Sequence, residues 1–220
     1  LMLYHLLYPL HKEFSGFNVF RYLTFRTAGA VITALVVSFL LGPWIIRRLR
    51  ALKFGQQVRD DGPQTHLTKK GTPTMGGLLI IAAITVSVLL WSDLRNKYVW
   101  VVLFATLAFG GIGLWDDYLK VVKKHSTGLR AREKFGLQIL ASLAIALFLL
   151  MNPNDPSSTH LTVPFVKQLV IDLGWFYIPF AVIVLVGSSN AVNLTDGLDG
   201  LAAGLVGIAA TANAILVYLG

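Results

Sequence analysis

The chain has 220 residues, 55 % of them hydrophobic and 14 % charged, with a mean hydropathy of +0.66; an ordinary soluble domain has about 45–50 % apolar and about 25 % charged residues. A soluble core does not need that much apolar residue, whereas a set of membrane spans does. The absence of cysteine excludes disulfide frameworks and thiolate zinc sites, and a net charge of +8 on such a chain concerns the sidedness of a bilayer rather than nucleic acid, which is not an expected partner.

The first ten residues are apolar but too short to cross a membrane, and residues 1–25 read as an interfacial lead-in. About 20 apolar residues span a bilayer core, and six uncharged windows approach that length: about 27–46, 75–92, 98–115, 135–152, 173–192 and 201–220. Backbone polar groups in hydrocarbon must be satisfied within their own segment, so helices are expected. Strand alternation is absent, which argues against an outer-membrane barrel. The expected fold is all-α, a polytopic transmembrane helical bundle forming one domain over 1–220.

Most of the 19 basic residues fall in two connections. Arg47, Arg48, Arg50, Lys53, Arg59, Lys69 and Lys70 lie in 47–74, and Lys120, Lys123, Lys124, Arg130, Arg132 and Lys134 lie in 116–134. Basic loops stay on the inner side. The N-terminus is therefore expected outside, with 47–74, 116–134 and 193–200 inside. All five tryptophans fall near expected span ends, as an aromatic belt requires. The longest outer connection opens on turn chemistry, Pro153-Asn154-Asp155-Pro156, and Thr162 to Val166 reads as a short strand or extended stretch.

The few acidic residues cluster. Asp60-Asp61 follows the first window, Asp116-Asp117 the third, and Asp196 and Asp199 the fifth, so parity places all three on the inner face. Adjacent carboxylates repel unless a cation sits nearby, and carboxylates among lysines are good material for binding Mg²⁺ and phosphate together. Asp60-Asp61 read equally well as loop acids balancing loop bases. Asp116-Asp117, flush against Trp115 at a window's end, are harder to read that way. Asn190, Asn193, Asp196 and Asp199 recur every third residue, near one helical face, and such polar groups at the end of an apolar span call for a cavity. Lys69 to Gly77 puts lysines and bare glycine backbone before a helix start, which suits a phosphate, though alone it reads as a basic membrane anchor. The GxxxxGK[ST] spacing of a Walker loop is missing. His66 is a lone loop histidine, and His5, His11, His125 and His160 are assigned no role.

Taken together, Val58-Arg59-Asp60-Asp61-Gly62-Pro63, His66, Lys69-Lys70-Gly71-Thr72-Pro73-Thr74-Met75-Gly76-Gly77, Asp116-Asp117-Tyr118-Leu119-Lys120 and Asn190 through Gly200 resemble the signatures of the phospho-N-acetylmuramoyl-pentapeptide transferases. These are a branch of the polyprenyl-phosphate N-acetylhexosamine-1-phosphate transferases. The resemblance covers essentially the whole chain, with the signatures in order. It implies a bacterial cytoplasmic-membrane enzyme that moves phospho-MurNAc-pentapeptide from its UDP carrier to undecaprenyl phosphate, releasing UMP, with Mg²⁺ as cofactor. It implies that Asp116 and Asp117 are catalytic, Asp116 foremost. Asn190, Asn193, Asp196 and Asp199 would line the nucleotide pocket, and Lys69, Lys120 and Lys124 would meet phosphates. The family's later metal-binding aspartate and histidine-rich motif do not occur in these 220 residues, so this stretch by itself is expected to be inactive. Asp116 and Asp117 are then the candidate metal ligands here.

Two other readings compete. A GlcNAc-1-phosphate transferase of the same superfamily shares the aspartate signatures, but not the stretch from His66 to Gly77. A membrane transporter also carries intramembrane acids, but holds them near the bilayer midplane on broken helices. Here acids and bases gather at one face. Small residues at Gly29, Gly42 and 200–210 could support helix contacts and leave a homodimer open, with no heptad or GxxxG case strong enough to assert one.

Overall fold

The computed structural model describes residues 3–51, 75–122, 128–153, 156–163, 166, 169–196 and 200–219. The helices among them are α1 (Leu3–Leu7), α2 (Leu23–Ala51), α3 (Gly77–Trp91), α4 (Lys97–Val122), α5 (Ala131–Met151), α6 (Tyr177–Thr195) and α7 (Leu201–Leu219). Among the described residues five stretches are long and apolar enough to cross a membrane: Leu23–Ala51, Lys97–Lys120, Ala131–Met151, Gly174–Thr195 and Leu201–Tyr218. The remaining expected window corresponds to α3, whose 15 described residues rise about 22 Å against a hydrocarbon core of about 30 Å. The chain divides into two compact units, residues 1–134 and 135–220.

In the first unit, α2, α3 and α4 pack as antiparallel neighbours. Leu79, Ala83, Ser87 and Trp91 recur every fourth residue and so form one stripe along α3. Leu79 lies against Gly42 of α2, and Trp91, at the other end of the stripe, lies over Gly29. Thirteen residues of α2 and twelve of α3 thus separate the same two contacts, as an antiparallel pair demands. Ala83 and Ser87, between them, are buried. The Trp91 indole N–H donates to Thr33 Oγ1 at 2.8 Å, one turn from Gly29. Phe20 stacks on the indole (5.9 Å) and Phe25 meets it edge-on (6.1 Å). Gly29 has to be small, because a Cβ there would run into the indole ring. Gly110 of α4 is small for the same reason, with Ile81 of α3 lying against it. Lipid tails are as apolar as these side chains, so close backbone approach and a buried hydrogen bond must do what hydrophobic burial does in water.

The residues before α2 form short helical turns, α1 and two 3₁₀ segments at Tyr8–Lys12 and Ser15–Arg21. Tyr4, Tyr8 and His11 stack in turn, Phe14 meets Phe17 edge-on, and His5 comes within 3.9 Å of Asp93 in the α3–α4 turn. α2 has 29 residues, about 43 Å of helix, so its ends outrun the hydrocarbon. Arg48 and Arg50 sit in its last turn, where cations also meet the negative end of the helix dipole. Pro43 lies inside α2 and leaves the Phe39 carbonyl without its usual N–H partner.

In the second unit, α5 and α6 are antiparallel. The buried face of α5 comprises Gln138, Ser142, Ile145 and Ala146, a helical stripe. Between the helices a 3₁₀ turn (Pro156–Thr159) leads into a two-stranded antiparallel sheet, β1 (His160–Thr162) with β2 (Val170–Asp172), His160 pairing with Asp172 and Thr162 with Val170. The strand expected over 162–166 therefore starts earlier and ends at Thr162. Asp172 closes this hairpin: its Oδ1 accepts from Thr159 Oγ1 (2.6 Å) and from the Gly174 N–H (3.0 Å). α7 is exposed along nearly its whole length.

Two outcomes are expected. Trp91→Ala should cost about 3 kcal/mol, the lower end for truncating a packed aromatic side chain, read as a lowered melting temperature in detergent. Gly29→Val should mimic it by expelling the indole. The hydrogen bond from Thr159, then that from Gly174, holds the Asp172 carboxyl below its ordinary pKa. Its stabilisation is thus complete above the unfolded value, about 4, and is lost as pH falls through the lower folded value. Hydrogen exchange over 156–174 should accelerate in that window, and Asp172→Asn should remove the pH dependence.

Candidate active site

Asp116 and Asp117 do not begin a loop. α4 continues through them to Val122, so both ride on its final turns with Lys120 one turn further on. Asp116 is buried at 7 % exposure, and both its oxygens are engaged. Oδ2 accepts from Lys120 Nζ at 2.8 Å, with Lys134 Nζ at 3.6 Å, and Oδ1 accepts the Leu129 N–H at 2.8 Å. A carboxylate that far out of water is tolerable only with such partners. The chain reaches it by a tight turn. Gly128 has φ +63°, a left-handed conformation, and any Cβ there would collide with Asp116 and Lys120. α5 then starts with Glu133 Oε2 accepting the Arg130 N–H at 3.2 Å, half of a capping box.

Asp117 is different. Among the described residues its nearest cation is Lys120 Nζ at 3.9 Å, and its side chain is 39 % exposed. Lys120 thus lies between two carboxylates, bonded to one and open toward the other. α2 and α4 run parallel, each antiparallel to α3, so Arg47, Arg48 and Arg50 emerge at the same end as this cluster. That end of the first unit can neutralise phosphate and offers one open carboxylate.

Among the described residues no three His, Asp or Glu side chains gather to hold a metal. Mg²⁺, however, commonly takes one or two carboxylates and completes its shell with water and phosphate oxygens. Asp117 fits such a partial set. Asp116, with both oxygens already accepting, does not.

The second unit carries its own polar group. Asn190 lies on α6, half-buried, and Asn193 follows one turn later, exposed. Asp196 is the residue just past the helix, also exposed. Asn190 Nδ2 donates to Gln138 Oε1 and to the Val186 carbonyl, each at 2.8 Å. Gln138 Nε2 lies 3.4 Å from Ser189 Oγ. Lys69, Lys124 and Asp199, with Asp60, Asp61, His66 and Lys70, lie outside the described residues.

Three contributors escaped the sequence reading. Lys134 was one base among many, and Gly128 one glycine among 20. Gln138 left a signal: it is a large polar side chain inside an otherwise apolar window, which in a span calls for a partner.

The same motifs carry the similarity to known proteins. Residues 99–220 match the family model of glycosyl transferase family 4. Residues 69–81 match phospho-N-acetylmuramoyl-pentapeptide-transferase signature 1. A phospho-N-acetylmuramoyl-pentapeptide-transferase of Thermodesulfovibrio yellowstonii is 54 % identical over 218 residues, 99 % of this chain and 60 % of its own length. Proteins of the same name from Desulfotalea psychrophila and Pelobacter propionicus are also 54 % identical over the same shares. The chain thus spans about 60 % of the length of the curated relatives it matches. With the match over 99–220 covering more than half of its residues, the chain belongs to glycosyl transferase family 4.

Proposed function

We propose that the protein to which this chain belongs transfers phospho-MurNAc-pentapeptide from its UDP carrier to undecaprenyl phosphate, giving lipid I and UMP for peptidoglycan synthesis. The observation that carries this reading is the pairing of two features. One is the muramoyl-branch signature at 69–81. The other is the lysine-held aspartate pair at the end of α4. The relatives' names support the muramoyl substrate over a GlcNAc-1-phosphate alternative.

The proposed setting is the bacterial cytoplasmic membrane. Six spans, with α3 counted as one of them, would put the N-terminus outside and the connections 47–74, 116–134 and 193–200 in the cytoplasm. A water-soluble nucleotide sugar and a lipid phosphate can meet only at such an interface. Phosphoryl transfer leaves the protein little covalent chemistry, so catalysis is positioning and charge neutralisation. Lys120 and Lys134, set by Asp116, preorganise positive charge for phosphates, and the family resemblance assigns Lys69 and Lys124 to phosphates as well. Asp117 holds the carboxylate left open to orient the polyprenyl phosphate or accept its proton. Mg²⁺, held on Asp117 and substrate phosphates, would supply neutralisation of charge on the transferring phosphoryl group. Asn190, Asn193, Asp196 and Asp199 line the side that takes the nucleotide.

The experiment is transfer onto polyprenyl phosphate by the full-length protein in detergent with Mg²⁺. Asp117→Asn should lower kcat at least about 100-fold while leaving the melting temperature in place. Asp116→Asn should lower both, because it releases Lys120, Lys134 and the turn at Gly128. An unaltered protein that transfers neither MurNAc-pentapeptide nor GlcNAc phosphate overturns the reading.

A further inference from the structure

Gln138 is 3 % exposed, in the second turn of α5, and no role has been given to it so far. A buried carboxamide in a span is costly unless its groups are paired, and this one is paired to a residue of the proposed nucleotide side. The carboxamide of Asn190 has two N–H donors and one carbonyl acceptor. Both donors are spent, one on Gln138 Oε1 and one on the Val186 carbonyl, at 2.8 Å each. No described residue donates to Asn190 Oδ1. Turning the Asn190 amide over would place that oxygen against two acceptors, so the pairing selects one orientation. The Val186 carbonyl, which can only accept, fixes the Asn190 amide, and Gln138 must then turn Oε1 toward it, with Nε2 3.4 Å from the Ser189 hydroxyl. Asn190 is also the one polar side chain lining a groove of about 490 Å³ in this unit, whose walls include Phe135, Ile139, Ile183 and Gly187.

We infer that Gln138 is a positioning residue that holds Asn190 as a pure hydrogen-bond acceptor, so the ligand group met there is an N–H or O–H donor and not a phosphate oxygen. Phosphate oxygens, which only accept at neutral pH, find nothing to accept from at Asn190. An imide N–H of a base and a hydroxyl of a ribose or sugar both satisfy the requirement. The inference rests on Asn190 belonging to the nucleotide-sugar pocket proposed above.

The test uses the full-length protein in detergent, with UMP binding by calorimetry and turnover of UDP-MurNAc-pentapeptide. The variants are Gln138→Leu, Gln138→Glu and Asn190→Ala. Gln138→Leu should weaken ligand binding about tenfold, as for a hydrogen bond to a ligand that loses its fixed partner. It should raise KM and leave kcat within about twofold, the pattern of lost uniform binding. Asn190→Ala should do the same. Gln138→Glu keeps an oxygen facing Asn190 Nδ2 and can take a hydrogen from Ser189, so it should restore most of the affinity. N3-methyl-UMP or 2′-deoxy-UMP, each lacking one donor, should bind the unaltered protein about tenfold worse than UMP and bind Gln138→Leu no worse than UMP. An effect of Gln138→Leu confined to the UDP-sugar would support the inference and place the donor on the sugar-peptide part. Unchanged binding and KM in Gln138→Leu, or an equal loss for every analogue that Gln138→Glu fails to restore, would overturn it and leave Gln138 a packing residue. Failure of the unaltered protein to bind UMP or UDP-sugar would instead overturn the transferase reading, and this inference with it.

Discussion

A polar group in a helix that crosses hydrocarbon has no water to turn to, and that constraint organises this protein. Ser87, Thr106, Ser142, Thr211 and Asn213 each hydrogen-bond a carbonyl four residues back on their own helix, at 2.8 to 2.9 Å. These side chains are neutralised locally and place little demand on their neighbours. Polar groups that cannot be settled this way become the points where helices are joined. Trp91 finds Thr33, Asp116 finds two lysines and a backbone N–H, and Gln138 finds Asn190. With no hydrophobic drive between helices in lipid, these joints and the small residues beside them set the packing.

The joint at Asp116 has a second consequence. A carboxylate with both oxygens accepting is a poor general base, yet it fixes two ammonium groups that long flexible stems would otherwise let wander. The adjacent Asp117 shares Lys120 at longer range and keeps its oxygens accessible. Neighbouring residues on one helix turn thus differ in setting, one holding two cations in place and the other presenting an open carboxylate. The difference follows from where the turn at Gly128 folds back, since its backbone reaches Asp116 and not Asp117.

The chain belongs to glycosyl transferase family 4 and carries several helices long and apolar enough to cross a membrane among its described residues. Two compact units each bring polar residues to the ends of apolar helices. The first gathers cations around carboxylates, and the second presents amides.

Much of this was legible in the residue order because a bilayer is a harsh and uniform solvent. A run such as 135–152 can be little else than a helix, and the acids can lie only near its ends or against a partner. Uncharged windows, basic connections and the Asp116-Asp117 and Asn190–Asp196 groups were therefore visible without coordinates. The limits of those windows were not, because helix propagation depends on caps and contacts as well as on hydropathy. α4 runs past Trp115 to Val122, since Lys120 and the turn at Gly128 satisfy the aspartates that would otherwise end it. Pairing across the fold was likewise invisible: Asp116 with Lys134, 18 positions on, and Asn190 with Gln138, 52 positions back. Residue order specifies which groups cannot remain alone in a membrane, whereas only helix packing, decided by close approaches such as Gly29 against Trp91, selects the partner each one meets.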